Sequence, residues 1–136
     1  MGRISIYLFE GNMTKKEILI VEDEDDIRKL MKSFLEKKGF DITLAEDGSS
    51  AVEILQNKNF DLLIVDVLLP GEHGLDLIKM KGHNFITPII LISGIYNEDE
   101  IAEMMKDPNV KFFIKKPFDL NDFYEKVNEA INADQI

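Results

Sequence analysis

Short unbroken apolar runs alternate along this chain with longer stretches in which apolar residues recur every third or fourth position. The runs Ile18–Val21, Leu62–Val65, Ile89–Ile92 and Phe112–Ile114 have the length and branching of strands buried on both faces, as in a parallel sheet. The predicted strands are Glu17–Val21, Phe40–Ala45, Phe60–Asp66, Ile89–Ser93 and Val110–Lys115. Phe40–Ala45 alternates in polarity, which suits a sheet edge. Pro88 opens the fourth strand, a position that needs no N–H in the ladder.

Helical stripes separate these strands. Ile27, Leu30, Met31, Phe34 and Leu35 follow i, i+3, i+4, i+7, i+8 and form the inward face of a first helix. Gly39 closes it where a left-handed residue is expected. Asp47-Gly48 turns into a second helix bearing Ala51, Ile54 and Leu55, and the loop 67–74 leads to a short third helix bearing Leu75 and Ile78. The fourth helix, about Glu98–Lys106, is short and the least stable, with Ile101, Met104 and Met105 expected to point inward. Asp119 caps a fifth helix that packs Leu120, Phe123, Val127, Ala130 and Ile131.

Strands alternating with helices predict an α/β fold: one doubly wound (βα)5 domain with a parallel five-stranded sheet and helices on both faces. Residues 13–136 make up this domain. Residues 1–12 lie outside the pattern and are expected to be a dispensable extension, although Ile4–Phe9 is apolar enough to join a sheet edge.

A chain of 136 residues suits a single domain with a real core. Its net charge of −10 counts against direct contact with nucleic acid or an anionic membrane surface. No apolar run approaches the ~20 residues that span a bilayer, and no secretory h-region opens the chain, so the expected location is the cytoplasm. The absence of cysteine removes disulfides, thiolate metal ligands and cysteine nucleophiles.

The chemistry lies in the polar residues that end the strands, because open α/β sheets bind ligands at that edge. Glu22 and Asp23 follow the first strand, Asp66 ends the third, Ser93 the fourth, and Lys116 follows the fifth. Singly, these are ordinary: an acid can cap a helix, a lysine is usually solvated, and Ser93-Gly94 is a loop signal. Together, three converging carboxylates repel one another and need a cation, and an all-oxygen set favours Mg2+. The acidic run Glu22–Asp26 is no EF-hand, because that loop needs glycine at its sixth position and Asp23 plus five is Arg28. Asp25 and Asp26 are expected only to complement a helix start.

A carboxylate nucleophile, a divalent cation, an ammonium and a hydroxyl are the parts of phosphoryl transfer. Asp66 would form an acyl phosphate without a general base, since a carboxylate is already ionised at neutral pH. Mg2+ and Lys116 would neutralise the transferring group, and Ser93 would hold one of its oxygens.

The segments ILIVEDE (18–24), DLLIVDVLLPG (61–71), IILISG (89–94) and FIKKPF (113–118) resemble, in order, those of the response-regulator receiver domain of two-component systems. The resemblance covers residues 17–133 and implies a flavodoxin-like fold with strand order 2-1-3-4-5. It implies that Asp66 takes phosphate from a sensor histidine kinase or phosphotransfer protein. Asp23 and Asp66 would ligate Mg2+, Glu22 through water, with the Leu68 carbonyl as a further ligand. Ser93 would be the switch hydroxyl, Phe113 the switch aromatic and Lys116 the phosphate-binding lysine, with a cis Lys116-Pro117 bond. Glu22 replaces a commoner aspartate, Ser93 a threonine, and Phe113 lacks a tyrosine hydroxyl. The face made by the fourth helix, fifth strand and fifth helix would then meet a downstream protein or a second copy of the chain.

Leu68 and Ile95 stand two residues beyond Asp66 and Ser93, where the family flanks the attacking water. Both are apolar, which implies slow loss of the phosphoryl group. Such a protein phosphorylates and dephosphorylates itself but is otherwise no enzyme. The chain stops soon after the fifth helix, so the expectation is a stand-alone receiver, with a fragment of a larger transcriptional regulator as the alternative. A Mg2+-dependent aspartyl phosphatase of the haloacid-dehalogenase type would want an acid at position 68, which is leucine. A flavodoxin-like nucleotide binder would want a phosphate loop after the first strand. A scaffold that takes no phosphate would not need the acid, serine and lysine set.

Overall fold

A computed structural model describes residues 15–67, 86–95 and 97–133. The expectations for residues 1–12, Leu68, Leu75 and Ile78 lie outside the described residues. The elements are β1 (Glu17–Val21), α1 (Asp25–Lys37), β2 (Asp41–Ala45), α2 (Gly48–Asn57), β3 (Leu62–Asp66), β4 (Ile89–Ser93), α3 (Glu98–Met104), β5 (Val110–Lys115) and α4 (Leu120–Asn132).

All five strands run parallel, in the order β2-β1-β3-β4-β5. The central strands read as unbroken apolar runs because both faces are covered. Alternate residues divide between two cores. Ile18, Ile20, Leu62 and Ile64 pack against Met31 and Leu35 of α1 and Phe123, Val127 and Ala130 of α4. Leu19, Val21, Leu63 and Val65 pack on the opposite face with Ala51 and Leu55 of α2 and Ile101 and Met104 of α3. β2, the strand with alternating polarity, is an edge, as expected.

The helix ends follow local chemistry. Gly39 adopts φ 97°, the left-handed conformation that ends α1. Asp47 accepts a hydrogen bond from the Ser50 N–H at 2.8 Å, and Asp119 accepts from those of Asn121 and Asp122 at 2.7 and 3.1 Å. Asn97 caps α3 in the same way.

Two stripe positions differ from expectation. Leu30 is 51% exposed, because it sits at the margin of the buried face of α1 and borders an open cleft. Met105 is 36% exposed, because α3 ends at Met104 and the last periodic residue falls past the helix.

One irregularity aligns the working edge of the sheet. Ile89 pairs with Val110 but Ile90 pairs with Phe112, so Lys111 is an extra residue in β5. The shift sets Ser93 opposite Lys115 and lets the Lys116 N–H donate to the Ser93 carbonyl at 2.9 Å.

Candidate metal and phosphoryl site

β1, β3 and β4 end level with one another, so the residues that leave them share one edge. Asp66, the last residue of β3, is 4% exposed, while Glu22, just past β1, is fully buried. Asp23 is exposed beside them. Glu22, Asp23 and Asp66 each offer one carboxylate oxygen, all within 4.8 Å of one another. Lys116 enters from the β5 side, its Nζ 2.7 Å from Glu22 Oε1, 2.8 Å from Asp66 Oδ2 and 3.1 Å from Glu24 Oε1. The bond between Lys116 and Pro117 is cis, as the resemblance implied.

The four predicted charged residues are therefore together. The sequence reading missed Glu24, whose backbone N–H donates to Glu22 Oε2 at 3.0 Å while its carboxylate shares Lys116. It also missed Arg28, which is 7% exposed. Asp25 was expected only to favour the helix start, but it pairs with both Arg28 and Lys29. A basic residue one turn beyond an acidic strand end was the available signal for Arg28.

The site fits a hard cation. Among the described residues, Glu22 Oε1 is buried with no aligned hydrogen-bond donor and has only the ammonium charge of Lys116 beside it. The donors of the cluster are all carboxylate oxygens, the ligand type Mg2+ prefers. Glu22 and Asp23 with Asp66 could hold such an ion, and the Leu68 carbonyl lies outside the described residues.

Burial pushes the Glu22 carboxyl up from 4.5 to about 7, and the nearby Asp66 charge adds to the rise, while Lys116 and the Glu24 N–H oppose it. For Lys116, burial works against the charged form, but hydrogen bonds to Asp66 and Glu24 and the close Glu22 carboxylate outweigh it and raise its pKa above 10.5.

A carboxyl whose folded pKa lies above its unfolded value favours the protonated fold. The contribution of Glu22 to the stability of the metal-free fold is therefore lost as pH rises from 4.5 to about 7. A cation that needs ionised Glu22 must displace that proton. Mg2+ binding should accordingly weaken roughly tenfold between about pH 8 and about pH 6, measured by titration calorimetry. A constant affinity would show that Glu22 is already ionised across this range.

Ser93 is 1% exposed, and its Oγ donates to the Ile95 carbonyl at 2.6 Å and accepts from the Ile95 N–H at 3.1 Å. The hydroxyl thus lies at the right strand end but is engaged within its own loop. Phe113 is half-buried and packs against the core beneath α2 and α3. Beside Lys116 an open cleft of about 410 Å³ runs between α1 and the start of α4, walled by Ile27, Leu30, Pro117 and Phe118.

A family model described as the response regulator receiver domain matches residues 18–128. A cyclic di-GMP phosphodiesterase of Thermotoga maritima is 35% identical over 115 residues, which are 84% of this chain and 30% of that protein. The response regulator ArlR of Staphylococcus saprophyticus is 32% identical over 120 residues, 88% of this chain and 53% of ArlR. The chain thus spans about half, or less, of the length of these curated relatives. A CheY-like receiver domain protein from Methanospirillum hungatei superposes with a TM-score of 0.81 at 26% identity, covering 88% of this chain and 96% of that one. A receiver protein from Pseudomonas putida gives 0.80 at 28% identity, covering 86% and 98%.

Proposed function

This chain belongs to the response regulator receiver domain family of two-component signalling, and from that premise we propose that Asp66 is its phosphoryl acceptor. A phosphohistidine of a sensor kinase or phosphotransfer protein is the donor. An Asp66 oxygen attacks phosphorus as the phosphorus–nitrogen bond breaks, and the departing imidazole takes up a proton. Glu22, Asp23 and Asp66 would hold Mg2+, which when bound supplies positive charge for the phosphoryl oxygens.

The observation that carries this reading is the ammonium of Lys116, within 2.8 Å of both Glu22 and Asp66 in a cluster short of positive charge. An incoming phosphoryl group offers Lys116 new anionic oxygens, and neutralising them lowers the barrier. Ser93, at the neighbouring strand end, turns from the Ile95 backbone to the new phosphoryl oxygen. Phe113 then repacks, and the face made by α3, β5 and α4 changes for a protein partner. The charge of −10 supports a protein target over nucleic acid. Among the described residues no helix is long and apolar enough to cross a membrane, in keeping with a cytoplasmic signalling role. Residues 13–136 are the working unit, and removing residues 1–12 should leave phosphorylation intact.

The test is labelling by a phosphohistidine donor with and without a Mg2+ chelator. Labelling that needs Mg2+ is expected, and equal labelling in chelator would refute the cation's role.

Ile95 is 76% exposed and, like Leu68, brings no hydrogen-bonding side chain to an attacking water. The aspartyl phosphate should therefore be long-lived. Ile95→Glu combined with Leu68→Asn is expected to shorten its lifetime severalfold in a phosphate-release assay. An unchanged or longer lifetime in that variant would contradict this.

A further inference from the structure

Among the described residues, Arg28 is the buried charge that the phosphoryl chemistry leaves unused. It lies one turn into α1, 7% exposed, with its head directed back under the loop that carries Glu22 and Asp23. Nη1 donates to the Glu22 carbonyl at 2.9 Å and lies 3.4 Å from the Asp23 carbonyl. Nη2 pairs with Asp25 and lies 3.6 Å from Glu46 Oε1, at the exit of β2. The Glu22 N–H donates to Ala45, the residue before Glu46, so both sides of this loop are tied to the end of β2.

Burying a guanidinium is costly, and an apolar side chain of similar volume often serves stability equally well. Stability alone therefore does not account for arginine at this place. What an apolar side chain cannot do is bridge two carbonyls with fixed, permanently charged donors. The two carbonyls bridged belong to adjacent residues whose carboxylates form the acidic cluster with Asp66. Without a clamp, mutual repulsion would favour swinging these carboxylates apart toward water.

We propose that Arg28 is the positioning residue of the cation site, holding the backbone of Glu22 and Asp23 so that their carboxylates converge before the ion arrives. This rests on the reading that Glu22, Asp23 and Asp66 bind Mg2+. Arg28 acts through the loop and touches no reacting atom. Its loss therefore weakens capture of the ion while leaving the chemistry of the filled site intact.

The experiment compares the wild type with Arg28→Met and Arg28→Lys in the full chain. Three quantities are measured: Mg2+ affinity by calorimetry, the acyl-phosphate labelling rate at saturating Mg2+, and metal-free amide hydrogen exchange at residues 22–24. For Arg28→Met the expected result is Mg2+ binding about tenfold weaker, faster exchange at those amides, and an unchanged saturated rate. Arg28→Lys should fall between, since one ammonium keeps the charge but cannot meet both carbonyls and Asp25 at once, as Nη1 and Nη2 do. Unchanged affinity in Arg28→Met, or a lower saturated rate with unchanged affinity, overturns the proposal. Should Arg28→Met fail to fold, Arg28→Gln takes its place under the same criteria. A wild type that binds no Mg2+ would instead overturn the underlying reading of the acidic cluster, so the two failures are distinct.

Discussion

Lys116→Met should cut the rate of acyl-phosphate labelling at saturating Mg2+ by about two orders of magnitude, the usual cost of removing one preorganised charge from a transition state. Methionine keeps much of the aliphatic stem but removes the ammonium that meets Asp66 at 2.8 Å and Glu22 at 2.7 Å. The same change should lower metal-free stability, because two buried carboxyls lose their shared partner. Removing one member of a buried pair typically costs about 3–5 kcal/mol. Here the loss should be about 1–2 kcal/mol at neutral pH, less than the usual cost of an uncompensated buried charge, because Glu22, already raised to about 7, can take up a proton instead. Added Mg2+ should restore stability without restoring the rate. Denaturant midpoints with and without Mg2+ check the first effect and labelling kinetics the second. A variant that labels within a few-fold of wild type would remove Lys116 from the chemistry.

Asp66→Asn should act in opposite directions on function and stability. It deletes the proposed nucleophile, so labelling should be lost. It also deletes one of three crowded acids while keeping an oxygen that can accept from Lys116. Glu22 then ionises more easily, since the Asp66 charge is one cause of its raised pKa. The metal-free variant is expected to melt a few degrees higher than wild type, as about 1 kcal/mol would give for a domain of this size. A site kept at the expense of stability behaves in this way. A lower melting temperature would mean that the pair with Lys116 outweighs the repulsion among the acids.

The fold was legible because the central strands are buried on both faces, so β1, β3 and β4 read as unbroken apolar runs. The positions of Glu22, Asp23, Asp66, Ser93 and Lys116 followed directly, since a strand's last residue and a parallel sheet fix where a side chain emerges. The strand order was not in the periodicity and came from the resemblance alone. Periodicity also could not tell a helix face that packs from one that borders a cleft, and Leu30 illustrates the difference. Met105 shows its other weakness, that a stripe does not reveal where a short helix stops. Glu24 and Arg28 escaped for a different reason. A charged residue at a helix start is nearly always solvated, and it is the folded loop that brings the Glu22 and Asp23 carbonyls to Arg28 and the approach of β5 that brings Lys116 to Glu24. The extra residue Lys111, which brings Lys115 opposite Ser93, left no sequence mark.

One phosphoryl group should settle on one aspartate within this cluster. Intact-mass and peptide-mapping spectrometry, after incubation with Mg2+ and a small acyl-phosphate donor, tests it most directly. A single added phosphoryl group on the peptide containing Asp66 is expected in the wild type, and none in Asp66→Asn. Equal labelling of Asp66→Asn would contradict the account.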